Sequence, residues 1–71
     1  MTIEKVFDSC TPTQRSNIIA RLMLKGTSYS TAFNWCTGSR APKQILRPTV
    51  VEVINAETGK EYSEAELWPN A

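Results

Sequence analysis

The basic residues of this chain are concentrated in one stretch that contains no acidic residue. Between residues 9 and 51 the basic residues are Arg15, Arg21, Lys25, Arg40, Lys43 and Arg47. All seven carboxylates lie outside this stretch, so the formal net charge of the 71-residue chain is only +1. Such segregation predicts a cationic surface for a polyanion, with duplex DNA as the first candidate. A solvated charged face without a partner is the alternative explanation.

The same stretch contains a short polar segment between two glycines, Gly26 and Gly38. Ser28 is a favourable N-cap and Gly38 a favourable stop, which predicts a helix over residues 29–37. Helical spacing predicts a narrow structural core stripe on this helix, formed by Ala32, Trp35 and Cys36. A helix that buries so narrow a stripe leaves its other side free to enter the major groove of DNA.

Two further helices are predicted before this segment. The first covers residues 3–9, which carry apolar side chains at helical spacing. The second runs from Pro12 towards Lys25, because Thr11 is a favourable N-cap before a proline and Gly26 is a favourable stop. Its predicted buried face consists of Ile18, Ile19, Leu22 and Met23. The resulting order of helix, glycine turn and helix is the order that a DNA-reading helix-turn-helix requires.

The segment after the basic loop is compatible with two secondary structures. Pro48 can open a helix that Gly59 ends. Residues 50–54 are mostly β-branched and residues 55–59 suit a turn, so propensity alone favours a C-terminal hairpin around residues 49–62. Ser63 and Glu66 match a capping box for a last helical turn. We expect one all-α domain, residues 1–71, of four to five helices, with an α+β fold as the alternative.

The composition argues against an enzyme and against a metalloprotein. The chain has no histidine, which is the commonest general base, and its two cysteines are too few for a four-ligand zinc site. We therefore expect no catalytic residue, no cofactor and no metal, and two reduced, partly buried thiols. No apolar run approaches a membrane span and the N-terminus lacks an apolar signal segment, so we expect a cytoplasmic protein with no membrane partner.

Several residues at fixed spacing resemble a known family. Around the glycine turn they are Gly26, Ser28, Ala32, Trp35, Gly38 and Pro42. Near the C-terminus they are Glu66-Leu67-Trp68-Pro69. Over about residues 14–69 the chain resembles the Cro and lambda-repressor-like helix-turn-helix family. The resemblance implies a compact helical DNA-binding domain and a phage or prophage transcriptional regulator, namely a Cro-like repressor. Members of the family usually act as homodimers on palindromic sites.

The resemblance also implies roles for individual residues. The base-reading candidates are Ser28, Tyr29, Ser30, Phe33 and Asn34. Asn34 suits adenine and the two aromatic rings suit a thymine methyl group, while packing explains the rings equally well. The phosphate-binding candidates are Lys25, Thr37, Arg40 and Lys43. For a homodimer on DNA, the apolar candidates are residues 50–54 and the tail around Trp68.

Two functions follow from these observations. The first is a sequence-specific, double-stranded DNA-binding transcriptional regulator, which the acid-free stretch favours. The alternative is a small protein-interaction module, such as a phage inhibitor or an antitoxin whose acidic tail binds a basic partner. The absence of arginine and lysine from the predicted recognition helix favours this alternative, because those residues are the commonest guanine readers.

Overall fold

Five α-helices joined by short connections account for most of the chain in a computed structural model that describes residues 1–70. They are α1 (Ile3–Ser9), α2 (Pro12–Leu24), α3 (Tyr29–Cys36), α4 (Arg47–Thr58) and α5 (Glu64–Leu67). A 3-10 turn, Gln44–Leu46, leads into α4. No residue from 1 to 70 belongs to a β-strand. The prediction of an all-α fold with four to five helices is therefore confirmed.

Side-chain caps begin three of the helices. At the start of α2, Thr11 Oγ1 accepts a hydrogen bond from the Gln14 amide at 3.1 Å, and Gln14 Oε1 accepts one from the Thr11 amide at 2.9 Å. At the start of α3, Ser28 Oγ accepts a hydrogen bond from the Thr31 amide at 3.3 Å. A second capping box begins α5. Because each cap satisfies an amide that has no partner within the helix, these helices begin where the sequence predicts.

The alternative hairpin around residues 49–62 is wrong, because α4 occupies most of that segment. Its β-branched residues Val50, Val53 and Ile54 lie at helical spacing and are at most 3% exposed. Burial of these side chains outweighs their strand propensity. The predicted turn residues form the end of α4, where Gly59 has a φ of 71° and its amide bonds to the Asn55 carbonyl at 2.9 Å.

The apolar core draws residues from every helix, and α2 packs against both α3 and α4. Its buried side chains include Val50, Val53, Ile54, Leu67 and Trp68. These are the segments that the sequence offered as apolar candidates for a dimer surface, and that assignment is wrong. Val51 is the half-buried exception and packs on the edge of the same core. The side chains are unavailable to a partner because they already fill the space between α4, α5 and the rest of the bundle.

Met23 was predicted on the buried face of α2, and this prediction is also wrong. Its side chain is 46% exposed, whereas Ile18, Ile19 and Leu22 are buried as expected. Helical spacing places Met23 at the margin of the apolar stripe, where it faces the surface between α2 and α3.

Polar contacts join α2 to the end of α4. Arg21 Nε lies 3.3 Å from Glu57 Oε1, and Asn17 Nδ2 donates a hydrogen bond to Glu57 Oε2 at 3.2 Å. Gln14 Nε2 lies 3.5 Å from the Glu57 carbonyl oxygen, at the outer limit of a hydrogen bond. Arg21 and Glu57 are the one ion pair within residues 1–70, and this pair links α2 to the end of α4.

Candidate nucleic-acid interface

A tight glycine turn connects α2 to α3. The Gly26 amide bonds to the Met23 carbonyl at 3.0 Å, and the Thr27 amide bonds to the Leu22 carbonyl at 3.2 Å. This pair of bonds is the Schellman arrangement, which needs a residue with positive φ at its centre. Gly26 supplies it with a φ of 101°, and Ser28 then caps the next helix. The turn therefore fixes how α3 leaves α2.

The α3 helix divides into a buried stripe and an exposed face. Ala32 and Cys36 are fully buried, and Trp35 is 7% exposed. On the other side, Tyr29 is 58% exposed and Phe33 is 43% exposed. The two rings lie one helical turn apart and stack, with ring centroids 6.1 Å apart and an interplanar angle of 17°. The buried stripe is as narrow as the sequence predicts, so most of the circumference of α3 is left on the surface.

The remaining base-reading candidates differ in how free their polar groups are. Ser30 is exposed and its hydroxyl has no hydrogen bond within residues 1–70. The Ser28 hydroxyl is held by its cap and by Thr31 Oγ1 at 2.9 Å. Asn34 is half-buried; its main-chain carbonyl accepts a hydrogen bond from the Arg40 amide at 3.2 Å, and its side-chain amide has no hydrogen bond within residues 1–70. Among these candidates, Ser30 is therefore the least constrained polar side chain on the outer face of α3.

An open groove lies between this face and α2. Tyr29 and Phe33 form its α3 side, and Ser16, Ala20 and Met23 lie on its α2 side. Sequence reasoning missed these α2 residues. Their spacing of four and three residues was the available signal, because such residues share one face of a helix. Arg15 also lines the groove and is its one charged residue, which leaves the surface mainly apolar.

The six basic residues of the acid-free stretch fall into two groups. Arg21 is paired with Glu57, Arg15 Nε donates to the Cys10 carbonyl at 3.1 Å, and Arg47 Nε donates to the Pro42 carbonyl at 3.0 Å. These three hold parts of the bundle together. The other three are exposed and make no ion pair in the described part of the chain: Lys25, Arg40 and Lys43.

The loop that follows α3 is anchored at both ends. Thr37 Oγ1 donates to the Phe33 carbonyl at 2.9 Å, so the hydroxyl of this phosphate candidate is used to end α3. Pro42 is fully buried and is held by the Arg47 contact. Gly38 has a φ of 83°, and a Cβ there would lie 3.2 Å from Glu4 Oε2. The loop carrying Arg40 and Lys43 is thus positioned by residues on either side of it.

The two cysteines belong to the core. Both are free and buried, as the sequence predicts for reduced thiols, although more deeply than the partial burial expected. Burial first and the neighbouring Cys10 second raise the pKa of the Cys36 thiol to about 12. Burial also raises the pKa of Cys10, against the lowering effect of Arg15. Both thiols are therefore protonated near neutral pH.

Two structural features are absent from residues 1–70. No cluster of three or more side chains there suits a metal ion. No helix in the same range has the length and apolar character needed to cross a membrane.

Comparison with known proteins gives no match for this chain. No protein-family model, no curated protein and no solved structure matches the chain. The resemblance to the Cro and lambda-repressor-like family therefore remains a prediction from the spaced residues of the sequence.

Proposed function

We propose that this chain is a small helix-turn-helix transcriptional regulator of the Cro and lambda-repressor-like type, which binds double-stranded DNA in a sequence-dependent way. The observation that carries the proposal is the α2–turn–α3 unit. In it, an uncharged α3 exposes one face, and the exposed cations that precede and follow α3 in the chain, Lys25, Arg40 and Lys43, make no ion pair in residues 1–70. Such a face can enter a major groove while the flanking cations contact phosphates.

The proposal gives the exposed side chains separate roles. Tyr29, Ser30, Phe33 and Asn34 face the bases, and Asn34 pairs with adenine. Lys25, Arg40 and Lys43 contact phosphates. Ser28 and Thr37 hold the two ends of α3 through their hydroxyl groups, which positions the helix rather than selecting a base. Action as a homodimer on a palindromic site remains part of the proposal, with no apolar surface of α4 assigned to it.

The proposal is tested by the salt dependence of duplex binding. Three phosphate contacts predict a slope of about −2.7 for log K against log salt concentration. Binding is measured by fluorescence anisotropy on the DNA upstream of the gene and on a random duplex. The Arg40→Ala variant is expected to weaken both duplexes alike and to reduce the slope by about one unit. Lys60→Ala removes an exposed cation outside the basic stretch and serves as the matched control.

The Asn34→Ala variant is expected to behave differently on the same two duplexes. It should lose about 1–3 kcal/mol on the preferred site and little on the random duplex. Equal losses on both would contradict the base-reading role of Asn34. Failure of the unaltered protein to bind any duplex at low salt would refute the proposed function itself.

A protein-interaction module is the second candidate, and the exposed aromatic pair favours it. Tyr29, Phe33 and Met23 present a mainly apolar surface beside Arg15, and aromatic residues, methionine and arginine are enriched in protein interfaces. The cations around α3 favour DNA instead, because a polyanion is the partner they best complement.

A further inference from the structure

The exposed face of α3 contains no charged residue with which to read bases. From residue 26 to residue 39 the chain has no arginine, lysine, aspartate or glutamate. Guanine is most often read by arginine or lysine, and the amino group of cytosine by a carboxylate. Neither type of contact is available from this segment. Any sequence preference of α3 must come from hydroxyl groups, from Asn34 or from apolar contact.

Two of the candidate polar side chains at the ends of α3 already have partners within the protein. Ser28 and Thr37 use their hydroxyls to cap α3, and Ser30 is a residue type that contacts any base edge. Asn34 is half-buried, and its side-chain amide has no hydrogen bond within residues 1–70. The largest exposed surfaces that remain are the rings of Tyr29 and Phe33, with Met23 beside them.

In the major groove, the C5-methyl group of thymine is the base-edge group that prefers apolar contact. The two rings lie on one side of α3 with their centroids 6.1 Å apart. That separation is close to two base-pair steps of about 3.4 Å each. Two stacked rings in this arrangement can contact methyl groups on thymines two base-pair steps apart, while the cations before and after α3 contact the phosphates.

We infer that the aromatic face of Tyr29 and Phe33 recognises thymine methyl groups, so that this protein selects thymine-containing duplexes by apolar contact. The inference rests on the proposed DNA-binding function and names the base chemistry that α3 reads. Tyr29 and Phe33 are specificity-determining residues, and Met23 supports the pair from α2. A protein partner on the same surface is the competing occupant. The groove beside the rings has one charged residue, the cation Arg15, and this favours a polyanion.

Replacing thymine with deoxyuridine tests the inference, because the two pair identically and differ by one methyl group. The probe is the tightest duplex recovered from a random pool, prepared once with each base. A buried methyl is worth about a fourfold change in affinity. Two contacted methyl groups therefore predict about fifteenfold weaker binding of the uracil duplex.

Four variants test which residues cause the difference in affinity between the thymine duplex and the uracil duplex. This difference is expressed as the ratio of the two affinities. Phe33→Ala and Tyr29→Ala are expected to weaken binding to the thymine duplex and to bring the ratio between the two duplexes towards one. Phe33→Leu keeps an apolar side chain and should retain most of the ratio. Ile45→Ala removes an exposed apolar side chain from the 3-10 turn, outside the assigned DNA contacts; it is the matched control and should keep all of the ratio. Far-UV circular dichroism melts establish that each variant is folded.

The outcomes separate this inference from the proposed function. Equal binding of both duplexes by the unaltered protein, with a preserved sequence preference and salt slope, would overturn methyl recognition and leave the DNA-binding function intact. A ratio that survives both alanine variants would overturn the assignment to Tyr29 and Phe33. No duplex binding at low salt would overturn both proposals and leave the apolar face to a protein partner.

Discussion

Replacing Trp35 with alanine tests the division of α3 into two faces. The Trp35 side chain is 7% exposed and belongs to the core together with Ala32 and Cys36. Truncating a buried tryptophan costs about 3–5 kcal/mol. A chain of this length has a free energy of unfolding of about 4–11 kcal/mol, from roughly 0.05–0.15 kcal/mol per residue. We therefore expect the variant to lose between about a quarter and all of its stability.

Phe33→Ala is the matched control, because it removes an aromatic ring two residues away on the opposite face. Phe33 is 43% exposed, so its partial burial is worth only about 1–2 kcal/mol. Urea unfolding followed by far-UV circular dichroism gives both free energies. Similar losses in the two variants, or a Trp35→Ala melt close to that of the unaltered protein, would refute the assignment of faces.

Two further perturbations test the turn and the core thiol. Gly26→Ala should cost about 1–2 kcal/mol, because a φ of 101° is unfavourable for an L-residue, although no atom lies within 4 Å of the added Cβ. A thermal melt measures this cost, and D-alanine placed at the same position by chemical synthesis should avoid it. At Cys36 the raised pKa means that the folded state holds the thiol proton more tightly than the unfolded state. The stabilisation is complete below the ordinary pKa of 9.0 and is lost as the pH rises towards about 12. Urea titrations across this pH range should show a steeper loss for the unaltered protein than for Cys36→Ala, and parallel losses would contradict the buried thiol.

The first residues of the helices could be predicted from the sequence because the capping interactions that determine them are local. Thr11 and Ser28 accept hydrogen bonds from amides three residues away, and such caps depend on residue type and spacing alone. The same is true of Gly26, whose positive φ ends α2. Contacts of this range can be inferred without knowing the rest of the fold.

The secondary structure of residues 47–58 could not be predicted in the same way. The intrinsic preference of the β-branched residues favours a strand, and the helix is stabilised by burial of Val50, Val53 and Ile54 against distant parts of the chain. Only the packed bundle decides between these effects. The predicted dimer surface failed for the same reason, since an apolar segment of sequence does not reveal whether the core or a partner covers it.

The position of Met23 shows a similar limit within the candidate site. Helical spacing grouped it with Ile19 and Leu22, but the edge of an apolar stripe can face either the core or a surface groove. The crossing of α2 and α3 determines which, and it places Met23 beside the aromatic pair. Patterns within single helices therefore identified the exposed face of α3. They missed the α2 residues that lie beside this face.

The acidic residues of the C-terminal third affect the basic stretch in two different ways. Glu57 lies on the inner side of α4, with its side chain 13% exposed, and contacts Arg21 and Asn17 of α2. The carboxylates of Glu61, Glu64 and Glu66 are exposed, and none forms an ion pair with a cation in residues 1–70. Among these acidic residues, Glu57 makes a structural contact, whereas the exposed ones lower the net charge of the chain without pairing with the cations before and after α3. Because ions screen exposed charges beyond about 8–10 Å, a polyanion at α3 responds mainly to the charges near that helix, which include the Glu4 carboxylate beside Gly38 as well as the cations, and much less to the net charge of the chain.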